Sequence, residues 1–179
     1  ERSVLRWHRL PDWQDRTRWL VVAAPRRSVD MLLETAHQAG LAVHALELRP
    51  FALARAVNVP DAIVAWLGTD GADVVLVRHT APVAYLSVAW GAEVTEGGVL
   101  VERLTQMVKQ ALARYEASSP EGWVADDVPL FVCGAPAGLE GEVGPGVASN
   151  LGRELGVLRP PVELPEDFPV HELVINLGL

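Results

Sequence analysis

Between residues 62 and 90 the chain reads "AIVAWLGTDGADVVLVRHTAPVAYLSVAW", three apolar, β-branched runs parted by very short turns. A parallel connection needs a dozen or more residues, so these runs have to pair antiparallel as a meander. The strands are predicted at 62–68, 73–79 and 82–90, joined through "GTDGA" and "TAP". No other stretch limits the fold so strongly, and whatever surrounds it must cover the sheet.

Helical spacing supplies part of that cover. Leu100, Leu104, Met107, Val108, Ala111, Leu112 and Tyr115 make one apolar face, which predicts a long helix from about Val99 to Tyr115. "VPLFVCG" (128–134) reads as a buried strand, Gly134 to Gly146 as a glycine-rich loop, and 146–155 as a helix ended by Gly156. The proline-rich "RPPVELPEDFP" (159–169) is expected to run extended over the surface, and "VHELVINLGL" to close in a short helix.

The first third has another rhythm. "RWLVVAA" (18–24) predicts a short strand, and Pro25 opens a helix through Ala39 in which Val29, Leu32, Leu33 and Ala36 recur at helical spacing. Gly40 suits a left-handed cap, "LAVHALEL" (41–48) alternates like a strand, and Pro50 begins another helix over 50–57. The expected organisation is a small β-α-β unit over 1–58 and a second lobe over 59–179. Meander, helix, strand, helix is the element order of one ribonuclease-H-like lobe, from which actin-like ATPases are built.

Composition excludes several function classes. The net charge of −8 and the lack of a basic, aromatic-laced stripe argue against nucleic acid. No apolar run approaches the roughly 20 residues of a membrane span and the N-terminus lacks an apolar signal core, so a soluble chain is expected. Cys133 is alone within "PLFVCG"; a buried thiol is expected there, an internal disulfide is impossible, and a reducing compartment fits. The five histidines (His8, His37, His44, His79, His171) lack metal-ligand spacing, and "DGAD" (70–73) lacks the terminal bidentate Glu of a calcium loop. Asp126 and Asp127 read as a plain turn, and no serine has the strand–turn–helix context of a hydrolase nucleophile. A start at Glu1 and an end at "VINLGL" suggest a piece of a longer protein.

"LVVAAPRRSVDMLLETAHQAGLAVHALELRPFALARAV" (20–57) resembles the PilM family, the actin-like cytoplasmic proteins of type IV pilus assembly. Members carry a strand ending in "VAA", a helix, "AGL" before an extended segment, and then "PFALARA". The terminal "LGL" is similar to the start of the family's closing "GLAL" helix. The resemblance implies a two-lobed actin-like α/β protein beneath the inner membrane. It would hold the cytoplasmic tail of the membrane protein PilN in a groove partly lined by the first unit, and work with other pilus assembly proteins. The family's N-terminal ribonuclease-H-like subdomain has no counterpart in these residues.

The same resemblance places two nucleotide loops. The family's "VDIGASST" hairpin falls on Ala65-Trp66-Leu67-Gly68 and Thr69-Asp70-Gly71-Ala72, so that Trp66 replaces the metal-side Asp and Gly71 and Ala72 replace hydroxyls. Of the "GGGA" adenosine loop, laid on Cys133-Gly134-Ala135-Pro136, only Gly134 remains, because Ala135 and Pro136 restrict φ and Pro136 lacks an N–H. Losing two or three charged-group hydrogen bonds of about 1.5–3 kcal/mol each weakens binding roughly 10²- to 10⁶-fold. Gly68, Thr69, Asp70, Gly71 and Gly134 are therefore expected to be vestigial, with no cofactor held. The alternative is a working site for ATP with Mg, in which the missing subdomain supplies most phosphate contacts and this lobe only closes the cleft. Trp66 pointing into the cleft would exclude nucleotide, and Trp66 packed inward would leave that alternative open.

Six tryptophans are many for this length, and Trp7, Trp13 and Trp19 crowd an arginine-rich N-terminal segment. Aromatic and Arg enrichment marks interface hot spots, so these three are the candidate partner-binding residues; the alternative is that the segment caps its own lobe. The implied function is a non-catalytic scaffold for a type IV pilus, secretion or competence apparatus. Two alternatives stay open: an ATPase gating assembly, and the actin-like cytoplasmic domain of the type II secretion protein GspL.

Overall fold

The computed structural model describes residues 2–69, 71–90, 97–119, 124–134, 139–165 and 168–178, apart from the side chains of Trp13, Glu140 and Leu177. The chain divides into two compact units, Glu1–Glu47 and Leu48–Leu179.

The first unit is a two-stranded ribbon with one helix. β1 (Ser3–Trp13) pairs antiparallel with β2 (Arg16–Pro25). Their register shifts between Leu10 and Trp13, where Pro11 has no N–H to give the ladder. Gln14 and Asp15 close the ribbon with φ of 48° and 59°, the left-handed pair that matches strand twist in a two-residue turn. The sequence predicts only the second strand; the first is rich in arginine and carries a proline, and it is stabilised by pairing.

After Pro25, α1 (Arg26–Gln38) runs to a glycine stop. The Leu41 N–H donates to the Ala36 carbonyl and the Gly40 N–H to the His37 carbonyl, with Gly40 at φ 73°. These two bonds satisfy carbonyls that the helix end leaves open. Residues 41–48 correct an expectation, because they form no strand. All eight are exposed and none joins a β-ladder among the described residues, so their alternation of large and small side chains has no sheet to serve.

The second unit has three layers. α2 (Arg49–Val57), which the sequence groups with the first unit, buries Pro50, Ala52, Leu53, Ala54, Ala56 and Val57. β3 (Ala62–Leu67), β4 (Gly71–Arg78) and β5 (Ala81–Ala89) form the expected antiparallel meander. α3 (Gly97–Ser118) then leads to β6 (Leu130–Cys133), which lies parallel to β3 in a sheet of order β5-β4-β3-β6. α4 (Glu140–Leu151) and the short α5 (Val174–Leu177) complete the unit.

One sheet face packs Ile63, Ala65, Leu67, Val74 and Leu76 against α3 and α4. The opposite face packs Val64, Val75, Val77 and Phe131 against α2 and Val174. Cover on both faces explains why β3 and β4 are nearly continuous apolar runs.

α4 differs from expectation, starting at Glu140 and ending at Gly152 with φ 62°. "EGEVGPG" is poor in helix formers, so local propensity points to a loop. Burial of Val143, Val147 and Ala148 against α3 overrides it, and Gly146 lies so close to Val101 that a Cβ would collide. Among the described residues no helix is long and apolar enough to cross a membrane.

Candidate functional site

Three glycines and a threonine of the two candidate nucleotide loops are described, and each glycine has a structural task. The Gly68 N–H donates to the Gly71 carbonyl at 2.8 Å and closes the β3–β4 turn, whose Thr69 is exposed. Gly71 is buried where a Cβ would stand 2.5 Å from the Val88 carbonyl oxygen of β5. Gly134 has φ 73°, and its N–H donates to the His171 carbonyl at 2.9 Å. Asp70, Ala135 and Pro136 lie outside the described residues.

Trp66 lies between these loops. It belongs to the β3 face that carries Ala62 and Val64, and it is half-buried beside the α2 cluster. A Cβ on Gly68 would stand 2.5 Å from its Cη2, and one on Gly134 would stand 2.5 Å from its Nε1. The ring thus lies close against both glycines. Its Nε1 is buried and has no hydrogen-bond partner among the described residues, an arrangement that costs about 1–3 kcal/mol. The Arg49 guanidinium sits over the ring, 4.2 Å from its centroid.

Arg49 is itself held. It pairs with Asp73, which is only 1% exposed, and the Tyr85 hydroxyl donates to the other carboxylate oxygen at 2.9 Å. Trp66 and Asp73 are direct cross-strand partners, and Tyr85 is reached diagonally from β5. Burial pushes the Tyr85 phenol above its ordinary pKa; a bond with Ser87 lowers it, and Asp73 raises it further. This cluster is absent from the sequence-level candidates. One signal pointed to it: a lone Asp in the apolar strand "ADVVLV", buried on both faces, must meet a cation or a donor.

The fit to a nucleotide is poor. Both retained loop glycines spend their N–H groups on internal carbonyls, and an indole fills the space against their Cα atoms. The Asp73 carboxylate is already engaged by Arg49 and Tyr85. No group of three or more His, Cys, Asp or Glu that could hold a metal ion occurs among the described residues. Cys133 is buried, its Sγ 3.8 Å from the Ala65 carbonyl, and burial pushes its thiol up to about 12. It stays protonated at neutral pH and is no nucleophile.

The ribbon of the first unit brings two of the three candidate tryptophans together. Trp7 pairs with Val21, and Trp19 lies two residues along, so both project from one face as diagonal neighbours. Leu5 and Val21 extend that face; Trp7 is 68% exposed and Trp19 54%. The even-numbered residues of β2 from Arg18 to Ala24 are half-buried, which marks the opposite face as the packed one. The Trp13 side chain lies outside the described residues.

Comparison with solved structures places the whole. A structure of the PilM-PilN type IV pilus biogenesis complex matches over 99% of this chain, with a TM-score of 0.67 and 20% identity. The chain has a PilM-like, actin-like α/β fold. The ethanolamine utilization protein EutJ from Carboxydothermus hydrogenoformans matches over 85% of it, with a TM-score of 0.59 and 20% identity. The chain spans 65% of the first of these proteins and 60% of the second. No protein-family model and no curated protein matches the sequence.

Proposed function

We propose that this chain is part of a non-catalytic, actin-like scaffold for type IV pilus assembly. Its second unit would be a ribonuclease-H-like lobe, and its nucleotide loops would have lapsed. The partner would be the cytoplasmic tail of a PilN-like inner-membrane protein, taken at the Trp7, Trp13 and Trp19 surface, with other assembly proteins docking around it. The protein would then lie in the cytoplasm, peripheral to the inner membrane. The observation that carries the reading is the likeness along 99% of the chain to a protein solved in complex with PilN. Trp66 against Gly68 and Gly134 is what favours a scaffold over an ATPase.

Calorimetry on the full-length parent tests both halves. A PilN-type tail peptide is expected to bind, and Trp7→Ala with Trp19→Ala to weaken it at least tenfold, since exposed aromatic anchors commonly contribute 2 kcal/mol or more. The two substitutions should leave the melting temperature nearly unchanged, because both side chains are exposed. Mg-ATP is expected to give no heat. Undiminished tail binding by the double variant would reject the aromatic face as the docking surface. Micromolar ATP binding would reject the lapsed site.

A further inference from the structure

We propose that the Trp66 side chain is the built-in occupant of a slot for a flat ring, and excludes nucleobase-type ligands by filling that slot itself. The inference rests on the lapsed-loop reading only for the class of ligand excluded; the slot rests on the geometry.

Three separated segments form it. Gly68 of the β3–β4 hairpin and Gly134 after β6 both lie against the ring so closely that any side chain on either would strike it. Arg49, at the start of α2, covers a face of the ring at 4.2 Å. Its position does not depend on the indole, because buried Asp73 holds the guanidinium and Tyr85 steadies Asp73. Vacating the ring would leave a glycine-lined gap beside a fixed cation. A flat, electron-rich ring matches that gap, as the indole face does.

The edge of the ring tells a different story from its faces. Nε1 is buried without an acceptor among the described residues, although a buried tryptophan N–H ordinarily finds one. The slot therefore fits an indole by shape and by its face, yet offers nothing to its polar rim. Any flat ring in the slot is therefore held by its shape and its face rather than by its edge, which is why adenosine, with the more polar rim, should fill it less well than indole.

The test uses the full chain carrying Trp66→Gly, with indole and adenosine as probes and thermal unfolding as the readout. Trp66→Gly is expected to lower the melting temperature by roughly 6–15 °C. Millimolar indole should restore part of the loss, adenosine should restore a smaller part, and neither should move the wild type. Indole rescue without any response to adenosine overturns the inference, because the slot then suits only its own tryptophan. So does a response of the wild type to adenosine.

If Trp66→Gly fails to fold, Gly68→Ala decides. Gly68 has no left-handed backbone, so the indole is the main obstacle to a methyl group there. Gly68→Ala should lower the melting temperature by roughly 3–8 °C beside Trp66 and by almost nothing beside Trp66→Ala. Equal losses in the two backgrounds overturn the slot. Tail-peptide binding measured on the same variants separates the readings: adenosine failure with intact tail binding sinks the slot and leaves the scaffold standing.

Discussion

Glycines in this chain act by what they leave out, and the reasons differ from one residue to the next. Gly71 leaves room for a neighbouring backbone: a Cβ there would stand 2.5 Å from the Val88 carbonyl oxygen, which β4–β5 pairing holds in place. Gly71→Ala is therefore expected to destabilise the protein by about 2–3 kcal/mol in urea unfolding. Gly141, in the first turn of α4, has nothing within 4 Å, and Gly141→Ala should be neutral or stabilising by up to about 1 kcal/mol. A neutral Gly71→Ala would show that the hairpin can shift away from β5. "GTDG" suits a phosphate loop by composition, but composition cannot show that the Gly68 N–H is bonded to Gly71 or that Gly71 lies against β5. Both depend on partners distant from the motif or on how the turn closes.

Turns decide how the elements meet. His79 and Thr80 join β4 to β5 with φ of 52° and 65°, although neither is a glycine. The Asp61 carboxylate supports this turn, accepting the His79 N–H and the Arg78 Nε, each at 3.1 Å. A β-branched residue with a left-handed backbone carries strain of about 1–2 kcal/mol, so Thr80→Gly is expected to stabilise by about 1 kcal/mol. A destabilised Thr80→Gly, read from the same denaturant midpoint, would mean that the 2.6 Å bond from its Oγ1 to the His79 carbonyl outweighs the strain. Short connectors made the meander legible, because two or three residues allow only one pairing sense. The strand expected at 41–48 failed for the complementary reason: alternation identifies a strand only where a sheet edge accepts it, and none of the described strands does.

Across the second unit, one buried cation ties distant segments together. Arg153 follows α4, is only 8% exposed, and donates to the carbonyls of Val124, Ala125 and Val128 ahead of β6. The adjoining backbone adds bonds from the Leu130 N–H to the Glu154 carbonyl and from the Gly156 N–H to the Leu130 carbonyl. Arg153→Ala should therefore cost about 3 kcal/mol, chiefly by orphaning carbonyls, and unfold the unit as a whole. Asp126 stands 3.9 Å from the same guanidinium but its side chain is 89% exposed, so Asp126→Asn should leave the melting temperature unchanged. An equal loss from both variants would assign the stabilisation to the ion pair instead.

Local chemistry alone determined the meander, the long amphipathic α3, the proline start of α2 and the glycine stop of α1. Each follows from side-chain period, turn length or backbone freedom within a few residues. Only tertiary structure decided the rest. α4 formed across "EGEVGPG" because burying Val143 and Val147 outweighs poor propensity, and β1 formed because β2 offered its edge. The Trp66 slot could not be read from any one segment. Gly68, Gly134 and Arg49 reach the same ring from a hairpin, a loop and a helix, with Arg49 held by Asp73 of a neighbouring strand, and a linear pattern carries no record of which segments the core will bring together.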